Sequence, residues 1–471
     1  MGNSKKKTST RRSFIARTTM VTAGIALGAR SISAASYNRV AGSNEKIRVG
    51  FIGAGNRGSQ LLHTFMKMAD CEVAALCDVY EPYVTRDFST VDPRYISTRP
   101  FQIPKMGENF QSRVERYSDY RRMLENKSID AICISSPDHW HALQTIHSIE
   151  AGKDVYIEKP LSKTIEEGRA MVEAGRKSHQ IVTVGLNRRA APTFQDLANE
   201  IPGGKIGKIT FASACHVGNM FPTGIGRNKP EDPPADFDWD AWLGPRAYRP
   251  YQFNIAPYMF RWWEDYANQI SNNGVHYLDL IRWMLGEVAP VSVTATGGKY
   301  VVDDDRTIPD TMQATFEFAS GVIVNINILE GSSGSFIPYG FIEMRGTKGT
   351  LLTAENDYKI VAGKPGQFQT WDKLLEDQVV DMRSDDTYLT NGKYSDSTSN
   401  HIRNFLDCIK SRKEPFCPLE EGHRSTSLAH LATIALLTGE RLRWDASAER
   451  FTNNKKANKM LGYEYRKPWK L

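Results

Sequence analysis

Residues 46–68 read KIRVGFIGAGNRGSQLLHTFMKM, and residues 71–78 read CEVAALCD. Ile47, Val49, Phe51 and Ile52 make a tight apolar run, the pattern of a buried strand. Gly53-Ala54-Gly55-Asn56-Arg57-Gly58 follows, and then Leu61, Leu62, Phe65 and Met66 recur on one helical face. The second stretch reads as another strand that ends at Asp78, twenty residues after the last glycine. Strand, glycine turn, helix, strand and acid together predict a dinucleotide site. Gly53 permits the tight turn, Gly55 lets a pyrophosphate approach the backbone, and Gly58 lets helix pack on strand. Asn56 and Arg57 open the helix whose N-terminus faces the phosphates, and Asp78 accepts from the ribose hydroxyls. A carboxylate at 78 repels a 2′-phosphate and no Arg follows directly in DVYEPY, so NAD is expected rather than NADP.

The same grammar continues outward. Residues 119–137 (DYRRMLENKSIDAICISSP) and 141–160 (HALQTIHSIEAGKDVYIEKP) each read as helix then strand. Alternation of this kind calls for a doubly wound parallel sheet, expected to finish near Ile181–Leu186. Residues 84–110, with Pro93, Pro100 and Pro104, read as a long loop inserted over the face where the strands end. Beyond 186 come strand-like runs joined by short turns, among them KITFASACHV, TMQATFEFA and GVIVNINILE. These predict an α+β domain with a large, mostly antiparallel sheet. Helices are expected around Asn273–Leu285, His401–Ser411 and Glu420–Thr438. The expected organisation is a leader at 1–35, a linker at 36–45, a nucleotide domain at 46–186, a substrate domain at 187–400, closing helices at 401–443 and a tail at 444–471.

Bulk composition narrows the classes. With 471 residues, 40% hydrophobic and 24% charged, the chain has material for two or three packed domains. Its net charge of +6 comes from the leader, since residues 1–35 hold seven Lys or Arg and no acid, and removing them leaves −1. Nothing therefore argues for nucleic acid. The six cysteines form no CxxC pair; Cys71, Cys77 and Cys133 read as buried thiols, and a Cys408–Cys417 bridge is left open.

The leader has a basic start from Lys5 to Arg12, a short apolar run from Met20 to Leu27, and a small-residue stretch SISAAS. Arg11-Arg12 followed by Ser13-Phe14-Ile15 resembles a twin-arginine (Tat) signal. The expectations are passage through the Tat translocase, a periplasmic location in a bacterium, and no membrane anchor after processing, since the run is too short to span.

Residues 135–171, SSPDHWHALQTIHSIEAGKDVYIEKPLSKTIEEGRAM, resemble the Gfo/Idh/MocA oxidoreductases, and NNGVHYLDLIRWMLG at 272–286 resembles that family's second motif. The likeness runs from about Lys46 to Arg443 and implies a Rossmann domain followed by an open-faced sheet. It implies that Ser136, Pro137, His141, Glu158 and Lys159 border the cofactor, and that Lys159 and His276 are catalytic. A lysine at a strand end points into the crevice where such sheets bind ligands, and its cation can stabilise an alkoxide. His276 has an ordinary pKa near the working pH of a base. The family usually has an acid four residues before this His; here Asn272 stands there, and Asp279 is a candidate to orient the ring instead. Arg188 and Arg189, just after the last expected parallel strand, resemble a polar segment that lines family substrate sites. Substrate contacts are thus expected from Lys159, Arg188, Arg189, Asn272, His276 and Asp279.

His139, Trp140 and His141 offer walls for nicotinamide or a sugar, and no carboxylate or Cys completes a zinc set there. Trp262 and Trp263 suit a carbohydrate site or a core, and Asp303-Asp304-Asp305 reads as a solvated loop. The resemblance implies an NAD-dependent oxidoreductase acting on a CH–OH group of a sugar, glycoside or polyol, as a homo-oligomer joined through the open sheet. A cofactor held tightly and recycled inside the protein would reconcile NAD with export. The alternatives are an NAD-dependent glycosidase of family 109, whose Tyr-Pro-Thr-His-type segment this chain lacks, and a non-catalytic sugar or nucleotide sensor.

Overall fold

The computed structural model describes residues 46–471 except 99, 383–388, 391–392 and 395. The expected leader and the whole of the linker lie outside the described residues.

Six parallel strands form the first sheet: β1 (Ile47–Ile52), β2 (Cys71–Cys77), β3 (Glu115–Tyr117), β4 (Ala131–Ile134), β5 (Asp154–Ile157) and β6 (Val182–Val184). Their order is β3-β2-β1-β4-β5-β6, the doubly wound arrangement, with a crevice where the order reverses between β1 and β4. β1 and β4 are central and almost wholly buried, which is why both read as apolar runs, broken in β1 only by Arg48. Helix α1 (Asn56–Phe65) buries Leu61, Leu62 and Phe65. The inserted segment is not all loop: it holds helix α2 (Pro93–Thr98), with Tyr95 buried. Helices α3 (His141–Glu150) and α4 (Ile165–Arg176) complete the wrapping, α4 with a full capping box between Thr164 and Glu167.

The second sheet contains β7 (Ile209–Val217), β8 (Pro290–Gly298), β9 (Thr311–Phe318), β10 (Ile323–Leu329), β11 (Ile342–Gly346), β12 (Gly349–Thr353), β13 (Asp357–Ala362) and β14 (Gln378–Asp381). β15 (Leu389–Thr390) and β16 (Lys393–Tyr394) pair separately, while β17 (Leu442–Asp445) and β18 (Arg450–Phe451) extend the large sheet beside β8. Its strand pairs are antiparallel apart from β7 with β10. Period-two alternation decides its faces. Met312, Ala314, Phe316 and Phe318 of β9 enter the core, together with Leu278 and Ile281 of α5 (Val275–Leu285). Leu428 and Ala432 of α7 (Leu419–Thr438) join them, while α6 (Ser397–Ser411) sends Phe405 against Phe65 of α1. The opposite face carries a polar ladder, in which Gln313 donates to Asn325 at 3.1 Å and Asn325 to Thr315 at 3.1 Å.

The stretch read as a tail is integrated into both domains. It supplies β18 to the large sheet, and its end returns to the first domain, where Trp469 lies edge-on to Trp140 at 4.8 Å. All six cysteines are buried free thiols, Cys408 and Cys417 included.

Candidate active site

The crevice opens on a cavity of about 450 Å³ lined by the glycine turn, the ends of β2, β4 and β5, and residues 257–261 and 272–273 of the second domain. Gly53 has φ +85°, and a Cβ there would lie 2.6 Å from the backbone nitrogen of Ser136. A Cβ on Gly58 would lie 2.0 Å from the Gly53 carbonyl oxygen, so helix and strand meet only because neither residue has a side chain. No side chain caps α1, whose first N–H groups are left for an anion. Asp78 braces this turn by accepting from the backbone N–H of Ala54 (2.8 Å) and of Tyr80 (3.1 Å). Burial pushes its carboxyl up, and those two N–H groups pull it back. The turn, the uncapped helix and the acid at the end of β2 fit a dinucleotide. Gly53, Gly55, Asn56, Arg57 and Asp78 line the place for it, with Gly58 behind them.

The inserted segment is locked to this turn by Arg86, which is 5% exposed. Its guanidinium donates to the Ala54 carbonyl (2.8 Å) and to Ser59 Oγ (2.8 Å) on the nucleotide side. On the insertion side it donates to the Lys105 carbonyl (2.9 Å) and to Glu108 (3.0 Å). Gln102 of the insertion lines the cavity, and its Oε1 is buried without a partner. Neither Arg86 nor Glu108 belongs to a recognisable motif, and sequence reasoning missed both.

Glu158-Lys159-Pro160 follows β5, with the Lys159–Pro160 bond cis. Glu158 accepts from Arg57 Nε at 2.8 Å, tying the strand end to α1. Lys159 Nζ donates to both the backbone oxygen (2.8 Å) and the side-chain oxygen (2.9 Å) of Asn272. A π-turn at Ile270–Gly274, just before α5, carries this residue. Among the described residues no carboxylate pairs directly with Lys159. Burial pulls its pKa down to about 8; Glu158 opposes that, and Arg261 and Arg57 add to it. Asn272 is thus the lysine's holder, and an uncharged one.

His276 stands one turn beyond Asn272, its Nδ1 buried and unpartnered. Its ordinary pKa does not survive folding. Burial, then the cations of Arg188, Lys159 and Arg57, hold it well below the usual range. The ring is a neutral acceptor. Arg188 lies over Phe341 at 4.5 Å and Tyr277 at 5.0 Å, with one guanidinium nitrogen buried and free of partners. Ser136 and Pro137 line the cavity, and His141 braces its floor, one ring nitrogen 2.7 Å from the Pro160 carbonyl and the other 2.8 Å from that of Ser136.

Two expected substrate residues go elsewhere. Arg189 and Asp279 face each other in the core, 3% and 1% exposed, with a bidentate contact at 2.7–3.0 Å. Ser425 donates to the same carboxylate at 2.6 Å, and Glu421 takes the rest of the guanidinium at 3.0 Å. Asp279 therefore has no oxygen to spare for His276. His139 also packs in the core, against Trp242 and Tyr266, and bonds the Trp242 carbonyl. Trp262 and Trp263 are core residues whose indole N–H groups bond Glu330 and the Asn254 carbonyl. Asp304 is not solvated: it is 1% exposed and paired with Arg306. Among the described residues no group of three or more His, Cys, Asp or Glu could hold a metal ion.

Other cavity residues escaped sequence reasoning. Asp138 sits inside PDHWHA and Arg261 inside MFRWWEDY, where neighbouring aromatics drew the attention; Tyr258 and Trp469 stand in no motif at all.

A doubly wound nucleotide domain, an open-faced partner sheet, and a lysine at the strand end between them define a two-domain dinucleotide-dependent oxidoreductase. Residues 47–186 match the "Oxidoreductase family, NAD-binding Rossmann fold" and residues 261–440 its "C-terminal alpha/beta domain". The two matches together cover well over half of the sequence, and the chain belongs to the Gfo/Idh/MocA oxidoreductase family, with NAD as its cofactor. Among curated relatives, a glycosyl hydrolase family 109 protein 1 of Shewanella sp. (strain ANA-3) is 29% identical over 206 residues, 42% of this chain and 42% of that protein. The match thus spans less than half of that relative's length. Among solved structures, levoglucosan dehydrogenase in complex with NADH and levoglucosan superposes with a TM-score of 0.60 at 17% identity, covering 85% of this chain and 99% of that one. An aldose-aldose oxidoreductase from Caulobacter crescentus, complexed with glycerol, gives 0.56 at 16% identity, over 85% of this chain and all of the other (100%). At these identities the superpositions speak for the fold.

Proposed function

We propose that the protein oxidises a CH–OH group of a sugar, glycoside or polyol, with NAD held in the protein and regenerated there. The observation that carries this is Lys159: an ammonium at the cavity, held among the described residues by Asn272, with two of its three N–H groups used. The third is free to donate to a substrate hydroxyl oxygen and to stabilise the alkoxide as its proton leaves. The neutral ring of His276 is the acceptor. Burial and the cations around it disfavour the imidazolium, which therefore gives the proton up to water. Asn273 and Tyr258 line the cavity as polar contacts for further hydroxyls, and Arg188 is the further cation expected there. NAD, when bound, supplies the hydride acceptor. Glu158 and Arg57 hold Lys159 in register with the nucleotide turn, and the Arg86–Glu108 clamp ties the insertion to that turn.

Tat export of the folded protein to the periplasm, with NAD inside, fits the Arg11-Arg12 leader. Similarity to an aldose-aldose oxidoreductase supports a cycle in which a second carbonyl compound reoxidises the cofactor. The polar outer face of the large sheet, with its Gln313–Asn325–Thr315 ladder, is where we place the contact between copies. A second reading is favoured by the family 109 relative: transient oxidation followed by elimination and release of an aglycone. One screen tests both. Sugars, polyols and aryl glycosides are added to the purified protein while bound-NADH absorbance and aglycone are followed together. NADH without aglycone supports the dehydrogenase, aglycone without net NADH supports the glycosidase, and neither across the panel refutes both.

A further inference from the structure

Asp138 is the first residue of a short 3-10 turn that follows β4 and Ser136-Pro137. It is 7% exposed and lines the cavity, yet its Oδ2 is buried and accepts no hydrogen bond. A buried carboxylate oxygen without a donor is costly, and folded proteins keep such groups where a ligand completes them. The basic side chains that act on Asp138 are His141, Lys159, Arg261 and Lys163. Each bonds another group, and none bonds Oδ2. The His141 ring meets two carbonyls, Lys159 holds Asn272, Arg261 donates to the Tyr258 carbonyl at 2.7 Å, and Lys163 reaches Glu264 at 3.4 Å. With no protein donor reaching Oδ2, an occupant of the cavity is placed to supply one.

Sheet order says which occupant that is. Asp78 ends β2, the glycine turn ends β1, Asp138 follows β4 and Lys159 follows β5, and the strands run β2-β1-β4-β5. A dinucleotide whose ribose is held at Asp78 and whose reacting end meets Lys159 must cross the connection after β4. Its nicotinamide ring carries one donor, the carboxamide amino group.

We propose that Asp138 Oδ2 accepts a hydrogen bond from the nicotinamide carboxamide, making Asp138 a cofactor-binding residue that sets which face of the ring is turned to Lys159. The inference rests on NAD as the cofactor and not on the identity of the substrate.

The test needs no substrate. Protein is incubated to equilibrium with an equimolar mixture of NAD and 3-acetylpyridine adenine dinucleotide, which keeps the carbonyl and replaces the amino group by methyl. Bound nucleotides are then separated from free and their ratio measured. Wild type should favour NAD by roughly tenfold or more, the worth of one charge-assisted hydrogen bond. Asp138→Ala should bring the ratio to within about twofold of unity. Asp138→Asn, isosteric and the fallback if the alanine variant misfolds, should keep a reduced preference. Wild type without preference overturns the proposal. So does a variant whose ratio stays at the wild-type value, even if both nucleotides bind more weakly, because Asp138 would then shape the pocket or meet a substrate hydroxyl instead.

Discussion

Lys159 should cost the protein stability, and Lys159→Met should return it. Burial is the main reason that this ammonium falls from 10.5 to about 8. In the unfolded chain the amine keeps its ordinary value. Below pH 8 both states hold the proton, and the folded state bears the whole cost, about 3 kcal/mol for a displacement of this size. Between pH 8 and 10.5 the unfolded chain binds more protons than the folded one, so this group's contribution to stability rises with pH. Above 10.5 the cost is gone. Methionine keeps the length and apolar stem and removes the charge. It also removes two hydrogen bonds to Asn272, about 1 kcal/mol each, and water in the cavity can replace part of them. The variant should therefore be about 1–2 kcal/mol more stable than wild type at pH 7, while turnover falls by roughly 10²–10³. Guanidinium unfolding of both proteins at pH 7 and pH 9.5, with the same nucleotide present, reads the difference, from which other titrations largely cancel. The gap should move by about 2 kcal/mol in favour of wild type at the higher pH. A variant less stable than wild type by the same margin at both pH values would refute the reasoning, since Lys159 would then be a settled structural cation.

The pH profile of kcat/KM separates two uses of the same amine: it should fall as pH rises through about 8 if the ammonium donates, whereas a rise to a plateau would make the neutral amine the base. Asp78→Ala should weaken NAD and narrow its advantage over NADP, because the ribose loses its acceptor and the turn loses its brace; unchanged titrations with both nucleotides would remove Asp78 from the ribose. Glu108→Gln leaves the buried Arg86 without its counter-charge, so the insertion should loosen and bound nucleotide should be lost many times faster on gel filtration, whereas wild-type retention would show that the insertion does not hold it. Asp279→Asn should lower stability by about 3–5 kcal/mol, seen in thermal melts, with substrate KM unaltered; a raised KM at full stability would return Asp279 to the site.

What was legible in the sequence is what the chain fixes locally. Gly53, Gly58 and Asp78 could be placed because a strand, a turn and a helix convert their spacing directly into geometry. Lys159 could be placed because a residue at the end of a parallel strand has only the crevice to face. The alternation in β9 told the core face from the outer face for the same reason. Partners brought together by folding left no such trace. Asp279 lies three residues after His276, a spacing that fits an acid orienting the ring. The side chain that claims it, Arg189, is 90 residues away in sequence. Arg86 reads as one more loop arginine until the insertion folds back and Glu108 arrives. The pKa values were illegible for the same reason. His276 is displaced by its burial and then by Arg188, Lys159 and Arg57, three cations from three separate segments.

Asn272 shows how the two kinds of information combine. The sequence alone says that an acid is missing four residues before the histidine, which removes a proton carrier. The structure shows what the amide does there: its two oxygens hold the Lys159 ammonium without neutralising it. A carboxylate in that place would pair with the lysine and raise its pKa; the amide leaves it near 8, within reach of a proton at working pH. Negative charge near the lysine comes instead from Glu158 and, less, from Asp138, whose own carboxyl is pushed up by burial. Asn272→Asp should accordingly raise the lysine's pKa and carry the alkaline limb of the rate profile upward with it. A limb that stays near pH 8 in that variant would show that the group titrating there is not Lys159.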